Sequence, residues 1–416
     1  VPANQAVLTA DGVPLKLRLR RTARKSRLGA FAVVVPLLAF IVVTFVVPIG
    51  TLLYRSIYNP IVANALPETA AMLSGWDGKE LPDEAVFAAL AKELVAARKA
   101  QTLGRVADQL NYEQSGLRTM IADTARRLEN ISQGPYRQAM IDIHSRWGDR
   151  ETWAAIRNSG RRYTPAYYLA AVDHTFGTEG NIVSKTPDRQ IYVTLFIRTL
   201  WVSLLITLIC LVLGYPIAFL MANAPTRISN LLMILVLLPF WTSLLVRTTA
   251  WIVILQREGV LNQLLIWLGL IQPDGRLSLI YNMAGTVIAM TQILLPFMIL
   301  PLFSVMKTIP SSHMRAAQSL GATPEWAFVT VYVPNSVPGI GAGSLLVFIL
   351  AIGYYITPAL VGGRTGQLIS NFIAYHMQTS LNWGLAGALS GILLLGVLGL
   401  YFVYNRIVGI DNLKLG

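Results

Sequence analysis

Between Arg27 and Arg55 the chain runs for 27 residues without a charge. At about 1.5 Å per helical residue, that exceeds the ~30 Å hydrocarbon thickness of a bilayer. Lipid offers no partner for backbone N–H and C=O groups, so an apolar run of this length reads as a spanning helix that satisfies its own. Comparable runs follow at about 191–223, 229–255, 279–306, 337–362 and 384–408, which makes about six spans. Basic residues precede the first run as they would a secretory leader. The run is, however, longer than an h-region of roughly 7–15 residues, and no small-x-small site closes it, so a retained helix is expected.

Composition supports this reading. The 416 residues are 54% hydrophobic and 13% charged, whereas soluble domains carry about 25% charged residues. A formal charge of +13 would suit a nucleic-acid binder if the basic residues covered a polar surface, but here they punctuate apolar runs. The charges also divide the chain: residues 55–190 hold 16 of the 21 acids and 17 of the 34 bases. A soluble insert therefore interrupts a membrane core. The expected organisation is a basic tail over 1–27, a first transmembrane helix over 28–54, an insert over 55–190, a five-helix core over 191–410 with a loop at 307–334, and a C-terminus over 411–416. The fold class is all-α membrane protein.

Lys16, Arg18, Arg20, Arg21, Arg24, Lys25 and Arg27 face only Asp11 in the tail, so the positive-inside rule places it in the cytoplasm. Six crossings return Arg406 and Lys414 to that side, along with Arg227, Lys307 and Arg315; Arg257 and Arg276 fall outside. The insert is then extracytoplasmic. Asp83 to Ala100 and Glu113 to Ile131 carry apolar residues at helical spacing, with Pro67, Pro82, Gly134 and Pro135 as punctuation. A helical cap on the membrane domain and a partner-docking module are both consistent with this pattern.

The loop from Pro310 to Trp326 reads as two short helices joined by a turn. Ser311 or Ser312 is the expected N-cap of the first, Gly321 its left-handed stop, and Thr323 with Pro324 the start of the second. Small Ala316 and Ala317 would let a partner approach the backbone. The run Arg315-Ala-Ala-Gln-Ser-Leu-Gly321-Ala-Thr323, with Phe328, Val331 and Pro334 after it, resembles the Glu-Ala-Ala loop of type I ABC importer permeases, with Arg315 in place of the leading glutamate. Gly214-Tyr-Pro-Ile-Ala218, Leu238-Pro-Phe-Trp-Thr-Ser243, Leu245-Val-Arg-Thr-Thr-Ala-Trp251, Arg257-Glu-Gly259 with Asn262, and Pro338-Gly339 through Pro358-Ala-Leu-Val-Gly-Gly363 are similar to spermidine/putrescine-type permeases.

The resemblance implies an inner-membrane importer subunit that moves a small, polyamine-like solute by alternating access. Its implied partners are a second homologous permease, two ATPase subunits and an extracytoplasmic solute-binding protein. ATP and Mg would sit on the ATPase partner, and this chain would bind no cofactor and be no enzyme. The coupling helix would comprise Met314, Arg315, Ala316, Ala317, Leu320, Gly321, Ala322 and Glu325.

Intramembrane polar groups are the candidates for a translocation path. Trp241, Thr242, Ser243, Arg247, Thr248 and Trp251 form one group in the third run, where Arg247 either faces the bundle or snorkels to headgroups. Tyr354, Tyr355, Thr357 and Pro358 form another in the fifth. Their aromatic faces can hold an ammonium by about 0.5–2 kcal/mol or pack a helix interface, and Pro358 frees a carbonyl. No Asp or Glu lies within a span, and the resembled family often has an acid at the position of Tyr354. Gly339, Gly341, Gly343, Gly387 and Gly391 suit close helix packing.

There is no Gly-x-x-x-x-Gly-Lys-Ser/Thr phosphate loop, so ATP hydrolysis belongs elsewhere. His144, His174, His313 and His376 lack metal-ligand spacing, and Cys210 is alone in an apolar run. Two other readings stay in view: an ion-gradient-driven secondary transporter, which would want an intramembrane acid, and a membrane-anchored scaffold that works through its insert.

Overall fold

The computed structural model describes residues 31–131 and 134–408. The basic tail, positions 28–30 of the expected first span and the segment 409–416 with Lys414 lie outside the described residues. Phe31–Arg55 forms one helix, α1. A five-residue π-turn at Val42–Val46 widens it, with the Val47 N–H bonded to the Val42 carbonyl. The cause is Pro48, which has no N–H and whose ring would collide with the carbonyl four residues back.

From Ser56 onward the described residues form a second unit. Its first part is a set of short helices: α2 (Pro60–Ala65), α3 (Pro67–Ser74), α4 (Glu84–Lys99), α5 (Leu103–Glu113), α6 (Leu117–Leu128), α7 (Tyr136–Ile143), α8 (Arg150–Ser159) and α9 (Ala166–Ala171). The apolar stripes of these amphipathic helices meet at Phe87, Trp147 and Trp153, all fully buried. Phe87 and Trp153 pack edge to face with centroids 4.4 Å apart. Both indole N–H groups are satisfied inside the core, Trp147 by Thr124 Oγ1 at 2.9 Å and Trp153 by the Trp147 carbonyl at 2.9 Å. The helix expected over Glu113 to Ile131 is α6, shorter at both ends, and Gly116 with a left-handed φ of 91° separates it from α5, which ends at Glu113.

One departure from an all-helical insert is a small antiparallel hairpin, β1 (His174–Phe176) with β2 (Ile182–Ser184). Buried Arg157 holds its loop to α8, donating to the Gly177 and Thr178 carbonyls at 3.3 and 2.9 Å and to the Trp76 carbonyl at 3.1 Å.

The membrane core follows as α10 (Tyr192–Asn223), α11 (Thr226–Trp241), α12 (Leu244–Leu255), α13 (Val260–Trp267), α14 (Met283–Met306), α15 (Ser311–Ser319), α16 (Pro324–Gly353), α17 (Ile356–Val361), α18 (Ile369–Gln378) and α19 (Trp383–Val408). Among the described residues, five helices are long and apolar enough to cross a membrane: α1, α10, α14, α16 and α19. The third apolar run is not the continuous helix expected from sequence. It is the pair α11 and α12, bent by 98°.

The fifth run also differs. Its helix begins at Pro324 rather than near 337, because a π-turn at Phe328–Tyr332 absorbs Pro334 just as the one in α1 absorbs Pro48. In both cases a threonine hydroxyl in the widened turn bonds the carbonyl four residues back, Thr44 to Phe40 and Thr330 to Trp326, each at 2.6 Å. The helix then stops at Gly353 and restarts as α17.

Helix α14 lies between α10 and α16, and glycines set the spacing on both sides. A Cβ on Gly214 would come within 3.2 Å of Met298 Cγ, and one on Gly343 within 2.8 Å of Met298 Sδ and 3.1 Å of the Met298 carbonyl oxygen. Asn223, the last residue of α10, donates to the Tyr332 hydroxyl at 3.3 Å. The start of α10, Tyr192, is where the insert joins. The bend carrying α15 therefore lies at the opposite end of the core from the insert. Gly343→Leu is expected to cost about 1–3 kcal/mol by overpacking the α14–α16 contact, seen as a lower melting temperature in mild detergent.

Candidate functional site

Two places in the core combine irregular backbone with polar side chains, and both are helix breaks. The first joins α11 to α12. Pro239 sits in a 3₁₀ turn, Leu238–Trp241, and Thr242 is extended. Ser243 then caps α12, its Oγ accepting the Val246 N–H at 3.2 Å. Within a bilayer the carbonyls freed at such a break need donors. Thr242 answers the Pro239 carbonyl with its N–H at 3.3 Å and its Oγ1 at 2.8 Å, and Arg247, one turn into α12, folds back onto the break as well. Its Nη2 donates to the Pro239 carbonyl and, at 3.1 Å, to the Thr242 carbonyl. The guanidinium is thus committed to backbone, a role that the choice between bundle interior and headgroups did not contain.

The second break falls at Tyr354–Tyr355, between α16 and α17. Pro358 cannot donate to the carbonyl of Tyr354, four residues earlier, and Ser370 Oγ takes that place at 2.6 Å. Asn371 Nδ2 donates to the Tyr355 carbonyl at 2.8 Å. The first turn of α18 thereby satisfies the break.

The two breaks meet. Thr248 Oγ1 lies 3.4 Å from Thr357 Oγ1, with both residues fully buried. The Tyr354 side chain lies beside those of Thr357 and Arg247. Trp251 donates to Gln292 Oε1 of α14 at 3.1 Å. Thr242, Ser243, Arg247, Trp251, Tyr354, Thr357 and Pro358 thus belong to one contiguous region. Trp241 does not join it but projects outward, 75% exposed.

Gln292 was missed from sequence, although a lone amide in an apolar run was the available signal. So were Thr199, which accepts the Ile369 N–H at 2.9 Å, and Thr286, which donates to the Gly366 carbonyl at 3.1 Å. Thr199 docks the start of α18 onto α10, and Thr286 docks the Gly-rich segment after α17 onto α14.

The bend at the far end is built as its residues imply, with one correction. Neither Ser311 nor Ser312 is the N-cap of α15. Pro310 occupies that position and Ser311 opens the helix, where its hydroxyl accepts Arg315 Nη2 at 3.3 Å. The helix closes in a Schellman arrangement: Ala322 N–H bonds the Ala317 carbonyl at 3.1 Å, Gly321 N–H bonds that of Gln318 at 3.0 Å, and Gly321 has φ 92°. Thr323 Oγ1 caps α16, accepting the Trp326 N–H at 3.3 Å, with Pro324 in its first turn.

Leu320 is 90% exposed, and Arg315, Ala316, Gly321 and Glu325 also face outward. Met314, Ala317 and Ala322 are half-buried, and Met314 packs on the core. Just beyond, Phe328 and Tyr332 of α16 stack 5.6 Å apart against Phe219 of α10, an aromatic joint between the bend and the bundle that sequence reading did not single out.

A third polar cluster lies where the insert meets the core. His376 of α18, a ten-residue helix too short to span, is buried between Tyr192 Oη at 2.9 Å from Nε2 and Ser380 Oγ at 2.8 Å from Nδ1. Burial, helped by the positive charge of Lys185, pushes the imidazole down to about 4 from 6.5. The unfolded chain therefore binds this proton more readily. Stability is complete above pH 6.5 and falls as the pH drops towards 4. The melting temperature is expected to decline over that window, and less steeply in His376→Gln. Arg247→Met should cost roughly 1.5–3 kcal/mol for the Thr242 carbonyl it leaves without a donor, measured by thermal denaturation in detergent; a residue that only lines a path would leave stability unchanged.

Residues 214–409 match the family described as binding-protein-dependent transport system inner membrane component. The spermidine/putrescine transport system permease protein PotB of Salmonella typhimurium strain SL1344 is 36% identical over 225 residues, which covers 54% of this chain and 77% of that protein. PotB of Escherichia coli K12 is 36% identical, covering 54% of this chain and 81% of its own length. Among solved structures, a bacterial ABC transporter involved in import of the acidic polysaccharide alginate is similar, with a TM-score of 0.42 and 19% identity over 54% of this chain and 83% of that chain. The insert lies outside the matched family region. On its identity to PotB across most of that protein's length, the chain belongs to the spermidine/putrescine-type permeases, as a multi-pass inner-membrane subunit of an ABC importer.

Proposed function

We propose that this permease pairs with a homologous permease subunit and two ATPase subunits, and carries a polyamine-like cation delivered by an extracytoplasmic solute-binding protein. The termini and the α15 bend face the cytoplasm and the insert faces outward. ATP and Mg bind the ATPase subunits, and this chain binds no cofactor.

One observation carries the coupling role: Leu320 stands almost fully exposed on a glycine-closed bend whose helix leads straight into the aromatic joint with α10. An exposed leucine beside small Ala316 offers a knob and a close backbone approach to a docking cleft. Closure of the ATPases pushes this bend, and α16 passes the displacement to α10 through Phe328 and Tyr332. The glycine contacts on α14 keep the three helices moving as packed bodies, in the manner of alternating access by rigid-body rocking.

The solute path runs past the two helix breaks. Support comes from the concentration of polar groups there and from the names of the relatives. With no carboxylate in the spans, an ammonium would be held by the aromatic faces of Tyr354 and Tyr355 and by backbone carbonyls. Tyr354→Ala is then expected to raise the apparent KM for spermidine uptake.

The test is reconstitution of the complete transporter. Space around Gly321 is open, but its φ of 92° strains any other residue, so Gly321→Leu distorts the bend rather than the bundle. Uptake is expected to fall by about tenfold or more, roughly 1.4 kcal/mol, while ATP hydrolysis persists. Wild-type uptake and coupling in this variant would refute the assignment.

A further inference from the structure

The insert grips the core at more than its point of covalent attachment. Asp173, buried just after α9, places its carboxylate over the first turn of α10 and accepts the N–H groups of Ile191, Tyr192 and Val193 at 3.1, 3.1 and 2.9 Å. Lys185 lies over the Tyr192 ring and donates to the Ala170 carbonyl at 3.3 Å. These contacts seat the insert on α10.

A second set reaches a part of the chain some 200 residues later, the elbow between α18 and α19. The Tyr112 hydroxyl, at the end of α5, donates to the Ser380 carbonyl. Tyr167 of α9, held by Gln109 Nε2 at 2.8 Å, lies so close to Gly384 that a Cβ there would overlap its ring. Tyr167 and Ala171 share one buried cluster with Leu195, Ile369, Leu385 and Leu389. A cap that merely shielded the membrane domain would not need an aromatic ring seated on a glycine of the opposing helix.

The elbow is the far end of α18, and the near end of α18 is what satisfies the Tyr354–Tyr355 break through Ser370 and Asn371. The insert and the break thus hold opposite ends of one ten-residue helix. A rigid helix moves as a body, so a displacement of the elbow changes the bonds at Tyr354 and Tyr355.

We propose that Tyr112 and Tyr167 of the insert are positioning residues for translocation: they clamp the α18–α19 elbow and, through α18, hold the backbone break at Tyr354–Tyr355 in place. The clamp is a mechanical device built from the insert, and its consequence for uptake rests on the reading that this break lies on the solute path.

Tyr112→Phe removes the hydroxyl that bonds Ser380 and keeps the ring, so it tests the clamp without disturbing the insert core. The measurement is amide hydrogen exchange of the full chain in lipid nanodiscs, which needs no partner. Exchange is expected to rise by about threefold or more at 379–384 and also at 354–361, which Tyr112 does not touch, while 147–156 in the insert core stays at the wild-type rate. A rise confined to 379–384 would overturn the proposal, because the contact would then be local.

Gly384→Ala provides a second route to the same test. It should reproduce the two-segment pattern, because its methyl group would overlap the Tyr167 ring; a rise confined to 379–384 in this variant would likewise overturn the clamp. Spermidine uptake by the intact transporter separates the two ideas. Coupled exchange with a changed maximal rate supports both, whereas coupled exchange with wild-type uptake supports the clamp and removes the break from the path.

Discussion

A backbone carbonyl inside a bilayer must find a donor within the protein, and the architecture of this permease core follows from where helices break and which side chains answer. At Thr242 the donor is Arg247, which also joins the Thr242 N–H and hydroxyl at Pro239. At Tyr354 the donor is Ser370, and at Tyr355 Asn371 joins the Ala359 N–H. At Gly366 it is Thr286. An unanswered carbonyl costs several kcal/mol in hydrocarbon, so each break is affordable only with its own answering group. That pairing accounts for the polar residues at the two breaks, while Thr199, Ser203, Thr207, Thr291 and Ser336 are buried along the spans themselves.

The same constraint separates stiff from adaptable parts of the core. Helices α10, α14 and α16 approach closely at Gly214 and Gly343 and pack Met298 between them, which suits movement as bodies. The breaks hold by two or three hydrogen bonds each. Those bonds can be exchanged for others, including bonds to a passing solute, at smaller cost than shearing a packed interface. Prolines enter this division in three ways, and Pro216, Pro296, Pro301 and Pro338 simply lie inside helices that stay continuous. Pro48 and Pro334 are absorbed by π-turns and leave their helices continuous. Pro239 and Pro358 stand at breaks.

The insert obeys the rules of a soluble domain. Its core is built on buried tryptophans whose N–H groups are satisfied internally, and its acids and bases are nearly balanced. Where it meets the membrane core the chemistry changes to buried polar contacts among Asp173, Lys185, Tyr192, His376 and Ser380. Such contacts are directional, and they fix orientation as well as burying area. An oriented junction is what makes the insert a part of the permease body instead of an appended lobe.

Much of this was legible in the order of residues. Uncharged runs long enough to cross a bilayer, an insert carrying most of the acids, and a glycine after Ala316 and Ala317 are local properties, set by hydrophobic length, charge and backbone stereochemistry. Gly321 and Thr323-Pro324 act as their neighbours predicted, because a left-handed stop and an N-cap depend on a few adjacent residues. The bend between α11 and α12, the commitment of Arg247 to backbone, the pairing of Thr248 with Thr357 and the seat of Tyr167 on Gly384 were not legible. Each joins groups whose proximity exists only after the chain has folded, some separated by more than a hundred residues, and no local propensity encodes which distant donor will answer a given carbonyl. The sequence by itself determined that the chain enters a membrane and how the bend at Gly321 is closed; tertiary structure alone decided which polar groups meet inside, because that depends on packing between helices and not on any one of them.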